Sequence, residues 1–155
     1  MKIMMTFRTY ITIGMNDMAH ETELIARYAE TDQMGIIHHS VYPVWFEAAR
    51  TEFIKQVGIS YSNCERRGLM LPLIGLECRY LKPAYYEDVI SVESRIVKAT
   101  PVRLVIGYTV RNKDTSEVLA TGSTTHVWTD GSRRPVNMKK KAPDILEMMK
   151  QNQNE

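Results

Sequence analysis

The chain has 155 residues, enough for one compact domain with its own hydrophobic core and too few for a second domain of ordinary size. It is 44% hydrophobic and 25% charged, which is the composition of an ordinary globular protein. The net charge of +2 is too small for a protein dedicated to nucleic acid or membrane surfaces, so an anionic ligand would need a local cluster of cations.

The segment 1–18 holds half of the ten methionines. Two interpretations of it stay open. It is an N-terminal extension that is disordered or adds a short strand, or it is an over-long start, with translation beginning at Met15 or Met18. A single domain is predicted over 19–150, followed by a short tail over 151–155.

A strand is predicted over 21–28, followed by a polar turn over 29–35. The long helix is predicted over 40–57, because Ser40 is a favourable N-cap and Gly58 suits the C-terminal end. Proline 43 lies in the first turn, where its missing N–H costs little. The apolar residues of this helix spread well beyond one face, which is typical of a central helix wrapped by other structure.

After a short helix over 61–67, the pattern changes to that of strands. Four strands are predicted, over 69–81, 88–97, 103–112 and 117–129. The turns after the second and third of these are short enough for hairpins, so this part of the sheet should be antiparallel. Small residues at Ala120, Gly122 and Ser123 would let a helix approach the sheet closely. A last helix is predicted over 143–150.

The predicted fold class is therefore α+β, with one sheet around one long helix. A single helix leaves part of such a sheet uncovered, which predicts dimerisation and clefts between subunits.

The two cysteines and four histidines show neither a disulfide framework nor a metal-ligand spacing, so no zinc site is expected. Free cysteines favour a reducing, cytoplasmic setting. No apolar run approaches the roughly 20 residues that a membrane-spanning helix needs, so no membrane insertion is expected.

The segment just before the long helix contains the candidate catalytic residues. A carboxylate, Asp32, lies on a turn ahead of the helix N-terminus, and Gly35 lets that turn bend. His38, His39 and Ser40 lie where the first unpaired helical N–H groups emerge, a partially positive site that favours an oxyanion. A carboxylate beside such a site could attack an activated acyl carbonyl or deprotonate the attacking water. An ordinary turn or capping Asp is the alternative.

A longer motif surrounds this carboxylate. Its residues are Tyr28, Asp32, Gly35, His39, Tyr42, Glu47, Ala49 and Arg50. They fit the pattern Y-x-x-x-D-x-x-G-x-x-x-H-x-x-Y-x-x-x-x-E-x-A-R, so the chain resembles the 4-hydroxybenzoyl-CoA thioesterase family, in particular its YbgC-like branch. The stretch YLKPAYYEDVISVES resembles the family's strand-turn-strand, with Pro83 and Asp88 in the expected places. The resemblance covers about 21–141. It departs at His38, where many YbgC-like sequences carry Tyr, a difference that could alter the acyl pocket.

The resemblance implies a hotdog fold, a curved antiparallel sheet wrapped around one long central helix, in homodimers that often pair into homotetramers. It also implies hydrolysis of an acyl-CoA thioester to free acid and coenzyme A, without metal or cofactor, at a subunit interface. Asp32 matches the family's catalytic nucleophile or general base, and His39 the position whose backbone N–H polarises the carbonyl. The substrate-binding candidates are Gly35, His38, Ser40 and Tyr42.

Other residues have less specific interpretations. The phosphates of coenzyme A could be held by Lys98, Arg103, Lys139, Lys140 and Lys141, although the run of three lysines also suits a solvated basic tail. Glu47 and Arg50 are interpreted as a structural ion pair or as contacts to a partner subunit, in preference to a catalytic role. His126 is interpreted as a hydrogen-bonded sheet residue, and Trp45 and Trp128 as core or interface aromatics.

Two other functions stay open. A hotdog 3-hydroxyacyl dehydratase would use a His with a carboxylate, and His39 and Glu47 supply those residue types. It leaves Asp32 at the helix start unexplained. A non-catalytic acyl-CoA-binding module is the third hypothesis.

Overall fold

The computed structural model describes residues 19–153, so the predicted extension over 1–18 lies outside the described residues. The helices and strands are β1 (His20–Ile25), α1 (Val41–Gln56), α2 (Tyr61–Arg66), β2 (Leu73–Tyr80), β3 (Val89–Ala99), β4 (Arg103–Asn112), β5 (Val118–Val127), α3 (Met138–Lys141) and α4 (Pro143–Gln151). A short 3₁₀ turn, Tyr28–Glu30, takes the place of the last predicted residues of the first strand.

The five strands form one antiparallel sheet in the order β1-β3-β4-β5-β2. The predicted hairpins join β3 to β4 and β4 to β5. The sheet curves around α1, and this confirms the predicted α+β class and hotdog fold. Within residues 19–153, the edge strands of this sheet are β1 and β2.

Helix α1 begins and ends close to its predicted bounds. Ser40 is the N-cap residue, but its backbone is already helical and its side chain makes no capping bond. Gly58 follows the last turn with a φ of +97°, a conformation that favours glycine.

One face of α1 packs on the sheet, and the other is open. The buried side chains are Tyr42, Trp45, Phe46, Ala49, Phe53 and Ile54. Val44 is 57% exposed, and Glu47, Glu52 and Lys55 are exposed as well. The expectation of a helix wrapped all round is therefore wrong for the single chain, because the apolar residues concentrate on the sheet side.

Gly122 allows α1 to lie against the sheet, as predicted. A Cβ added at Gly122 would come within 2.6 Å of the Phe46 ring and of the backbone oxygen of Glu77. A larger residue at position 122 would therefore push α1 away from the sheet.

The ordered domain extends beyond the predicted limit of residue 150. Helix α4 includes Gln151, and the side-chain oxygen of Gln153 accepts a hydrogen bond of 2.9 Å from the Ala99 N–H. The segment Met138–Lys141, which holds the three lysines, forms a short helix that was not predicted. No helix within residues 19–153 is long and apolar enough to span a membrane.

Strand β2 is an edge with apolar side chains in the open. Leu73, Ile74, Leu76 and Tyr80 are each between 41% and 53% exposed. The outer face of the sheet is different: Gly122 faces α1, so its neighbours Thr121 and Ser123 point away from it, beside Arg79 and Arg95. Exposed apolar side chains thus cluster along the β2 edge, whereas this part of the uncovered face is polar.

Candidate active site

The turn that carries Asp32 is closed by backbone hydrogen bonds. Thr31 and Ile37 pair across it, and the Asp32 N–H donates to the Ile36 carbonyl at 2.9 Å. Gly35 occupies the tight end with a φ of +76°, where a Cβ would be strained. The turn therefore holds the Asp32 backbone in a fixed place ahead of α1.

The Asp32 carboxylate is half-buried and only partly satisfied. Its Oδ1 accepts a hydrogen bond of 2.8 Å from the Met34 N–H. Its Oδ2 has no hydrogen-bond partner in the described part of the chain. Asp32 is thus a turn aspartate, as the alternative held, and its second oxygen stays without a hydrogen bond in the described residues.

The residues that enter α1 leave one amide free. The His38 N–H donates to the Glu30 carbonyl at 2.8 Å, and the Val41 N–H donates to the His38 carbonyl at 3.0 Å. The Ser40 N–H donates to His38 Nδ1 at 3.2 Å, and the Ser40 hydroxyl oxygen lies 2.7 Å from the same nitrogen. Among His38, His39, Ser40 and Val41, the His39 N–H is the one without an acceptor in residues 19–153.

Tyr80, at the end of β2, fixes this entry from the other side. Its hydroxyl donates a hydrogen bond of 2.8 Å to the His39 carbonyl, and partial desolvation raises the pKa of Tyr80 to about 12. The phenol therefore stays protonated and keeps donating at neutral pH. Tyr42 packs edge-on against Tyr80, with ring centroids 5.0 Å apart.

These elements enclose an open cleft of about 370 Å³. It is lined by Asp32, Met34, Ile36, Ile37, His39, Tyr42, Tyr80, Leu81, Lys82 and Pro83. Of the predicted site residues, Asp32, His39 and Tyr42 meet here. Gly35, His38 and Ser40 do not line the cleft; they shape the turn and the helix entry instead.

The segment 80–83 was missed as a site element. Its YLKP stretch was noted only for its family resemblance, and nothing local shows that the end of β2 meets the start of α1. Lys82 in this wall forms an ion pair with Glu117.

The predicted phosphate-binding cations lie elsewhere. The hairpin with Lys98 and Arg103 is joined to α3 by a hydrogen bond of 2.7 Å from the Met138 N–H to the Pro101 carbonyl, so all five cations are at one end. Arg103 pairs with Val127, while Tyr80 pairs with Ala120, seven residues away along β5. At about 3.3 Å per residue, these cations lie roughly 23 Å from the cleft of their own subunit.

Of the two interpretations of Glu47 and Arg50, the ion pair is wrong, and the contact to a partner subunit stays a prediction. Glu47 is exposed, whereas the Arg50 guanidinium turns toward the core and donates to the Tyr61 and Tyr108 hydroxyls at 3.0 and 3.4 Å. Arg50 lies on the same face as Phe46 and Phe53, and so points to the sheet.

A buried chain of polar groups continues from Arg50. The Tyr108 hydroxyl lies 2.7 Å from Thr124 Oγ1, which is 2.9 Å from His126 Nε2. His126 Nδ1 reaches the Leu71 carbonyl at 3.3 Å, which confirms His126 as a hydrogen-bonded sheet residue. We call Arg50, Tyr61, Tyr108, Thr124 and His126 the Arg50 network. Burial, helped by the Arg50 charge, lowers the pKa of His126 to about 4.

Trp45 and Trp128 are buried core aromatics, as predicted. No three His, Cys, Asp or Glu side chains within 19–153 are grouped closely enough to hold a metal ion.

Comparison with known proteins gives a consistent result. Residues 26–153 match the Thioesterase-like superfamily. "Putative acyl-CoA thioesterase YneP" of Bacillus subtilis (strain 168) is 36% identical over 123 residues, which cover 79% of this chain and 88% of that protein. The crystal structure of DHNA-CoA thioesterase from Staphylococcus aureus has a TM-score of 0.80 and 34% identity, covering 85% of this chain and 89% of that one.

A more distant similarity concerns the predicted branch. "Acyl-CoA thioester hydrolase YbgC" of Escherichia coli O157:H7 is 24% identical over 87 residues, covering 56% of this chain and 65% of that protein. The sequence comparisons and the structural comparison thus indicate a relationship to thioesterases over most of the chain. The chain belongs to the thioesterase-like superfamily.

Proposed function

We propose that the protein is an acyl-CoA thioesterase, with Asp32 as its catalytic carboxylate and the His39 N–H as oxyanion donor. The observation that carries this proposal is the shared cleft, in which a carboxylate with a free oxygen lies beside the unpaired amide at the start of α1. Membership of the thioesterase-like superfamily and the names of the relatives support the same activity.

The reaction needs two groups that the cleft supplies. The His39 N–H donates to the thioester oxygen as negative charge develops there, and the positive end of the 16-residue helix α1 assists. Asp32 acts in one of two ways. As nucleophile it forms a mixed anhydride and expels the coenzyme A thiolate, and water then hydrolyses the anhydride. As general base it takes a proton from the water that attacks the carbonyl.

The assembly we expect is a homodimer, or a homotetramer made from two dimers. The exposed apolar side chains of the β2 edge support pairing of β2 with β2 of a second subunit. An antiparallel pair would carry the distant cations of one subunit, Lys98, Arg103 and Lys139–Lys141, toward the cleft of the other. There they would meet the phosphates of coenzyme A. We expect the protein in the cytoplasm, with no resident metal or cofactor.

The test is thiol release from a panel of acyl-CoAs by the wild type and by Asp32→Asn. Asparagine keeps the oxygen that accepts from Met34, so the variant should fold normally and lose about 100- to 10,000-fold in kcat. The matched control is Asp88→Asn, since Asp88 also accepts a backbone N–H in a turn but does not line the cleft. Full activity in purified Asp32→Asn would refute the assignment.

The same assay separates the alternatives. A dehydratase would convert a 3-hydroxyacyl-CoA to the enoyl form without releasing thiol, and a binding module would bind acyl-CoA and release none. Glu47 is exposed and does not line the cleft with His39, so the geometry offers no support for the dehydratase.

A further inference from the structure

Glu30 is the only buried carboxylate in the described part of the chain. Its side chain is 8% exposed, and it lies two residues before Asp32. An ionised carboxylate is costly to bury, so it is retained where charged or hydrogen-bonding groups hold it. No role was predicted for this residue, and its position beside the proposed catalytic carboxylate calls for one.

Groups from two elements hold the Glu30 carboxylate. Its Oε2 accepts a hydrogen bond of 2.8 Å from the Arg27 N–H, and its Oε1 pairs with the Arg27 guanidinium at 2.8 Å. Burial raises the pKa of Glu30, but hydrogen bonds from Arg27, its charge and the Trp45 indole N–H outweigh burial and leave the pKa below its usual value. Glu30 is therefore ionised at neutral pH, between the 3₁₀ turn and the second turn of α1.

The backbone of Glu30 reaches the other side of the site. Its carbonyl accepts the His38 N–H at 2.8 Å, next to the bond from the Asp32 N–H to the Ile36 carbonyl. These bonds form a short ladder between the segment that leads to Asp32 and the segment that leads to His39. Glu30 thus contacts the 3₁₀ turn through its side chain and the helix entry through its backbone.

The tip of the Asp32 turn has little packing of its own. Met34 is 77% exposed, and a Cβ added at Gly35 would meet no atom within 4 Å. The support of this turn therefore comes from its base, where Glu30 and the buried Ile37 lie. Placement matters here, because a displacement of about 1 Å between reacting groups can cost about 100-fold in rate.

We propose that Glu30 is a positioning residue for thioester hydrolysis, which holds the Asp32 carboxylate and the His39 N–H at the separation that the reaction needs. This inference rests on the proposed function and adds to it a residue that does not line the Asp32 cleft. The alternative is that Glu30 serves the stability of the fold alone. The two roles predict different kinetics.

The first experiment compares Glu30→Gln with the wild type in thiol release. Glutamine keeps the size of the side chain and one acceptor oxygen but removes the charge. The kcat should fall about 10- to 100-fold with KM within about twofold, since the groups that contact the substrate remain. If this variant does not fold, Arg27→Met replaces it, because Arg27 is 71% exposed; kcat should then fall about three- to tenfold. An unchanged kcat in the folded variant would overturn the proposal.

The matched control is Asp144→Asn. Asp144 also pairs with an arginine through two hydrogen bonds, to Arg67 at 2.7 and 2.9 Å, but it does not line the cleft. This variant should lower Tm by a few degrees and leave kcat within about twofold. An equal fall of kcat in Asp144→Asn and Glu30→Gln would mean that loss of stability explains both, and the proposal would fail.

The second experiment asks whether Glu30 acts through Asp32. In an Asp32→Asn background, Glu30→Gln should lower kcat less than about threefold, because the carboxylate that it positions is already gone. A role in stability alone lowers the folded fraction and reduces kcat by the same factor in both backgrounds. Equal factors would therefore refute positioning.

Failure of the proposed function can be told apart from failure of this inference. If the wild type releases no thiol from any acyl-CoA, the proposed function fails, and crystal structures of the wild type and Glu30→Gln still test the positioning. The distance from the Asp32 carboxylate to the His39 nitrogen should change by about 1 Å between them. The same distance in both crystals would rule out a positioning role for Glu30.

Discussion

The Asp32 cleft and the Arg50 network both contain polar groups, but they differ in whether those groups have hydrogen-bond partners. In the cleft, one carboxylate oxygen and the His39 N–H have no partner in the described chain. In the network, Arg50 donates to Tyr108, and the spacing allows each hydroxyl to donate to the next group until His126 donates to the Leu71 carbonyl.

Under the proposed function, this difference separates groups that bind a substrate from groups that stabilise the fold. A buried polar group without a partner costs free energy, so a network inside the core must be complete. A cleft open to water can leave donors and acceptors free, because water occupies them until a ligand arrives. The comparison predicts that changes in the network act on stability and changes in the cleft act on rate.

The largest effect on stability is expected at Arg50. Arg50→Met leaves the Tyr61 hydroxyl without its donor and should lower the free energy of unfolding by about 3 kcal/mol. Lys55→Met is the control on the same helix, since Lys55 is exposed and pairs only with Glu52 at 3.0 Å; it should cost less than about 0.5 kcal/mol. Urea denaturation measures both. Equal losses in the two variants would remove the distinction between network and surface.

The pH dependence of stability should report His126. Its pKa of about 4 in the folded chain lies below the value of 6.5 in an unfolded chain, so the unfolded state binds the proton first as the pH falls. Stability from this group is present above pH 6.5 and is lost as the pH falls toward 4, by roughly 2 kcal/mol. His126→Gln should show a shallower decline over this window in urea denaturation at several pH values. An unchanged slope would mean that His126 titrates normally.

The smallest effect is expected at Tyr80, a positioning residue in the cleft. Tyr80→Phe removes the hydrogen bond to the His39 carbonyl and should lower kcat about five- to tenfold, with stability nearly unchanged. KM and the pH profile should stay close to those of the wild type, because the titrating groups remain. Tyr85→Phe, at a similar exposure, is the control. A loss of stability without a loss of kcat would place Tyr80 with the structural groups instead.

Much of the fold could be predicted from the sequence because its signals are local. Strand β4 matches its predicted bounds, and α1 ends where Gly58 requires it to. Helix α3 was missed because four residues carry too little periodicity to distinguish them from a basic loop. The open face of α1 was missed because residue type alone does not show which apolar positions reach the sheet.

The site was predicted only where it is continuous in sequence. Asp32, His39 and Tyr42 lie within eleven residues, and a turn before a helix already brings them together. Tyr80 joins them through the order of strands in the sheet, which no local pattern encodes. Glu47 was predicted as a possible partner of Arg50, whereas the Arg50 guanidinium donates to Tyr61 and to Tyr108, which lies 58 residues away.

The close contact at Gly122 has a consequence for inherited and engineered variation. Phe46 lies on α1 about two turns after His39, so an added side chain at Gly122 would displace the start of the helix and with it the His39 amide that is proposed to bind the thioester oxygen. A methyl group on a distant strand could then slow catalysis while every residue of the cleft stays in place. Searches for activity-altering changes should therefore include this glycine.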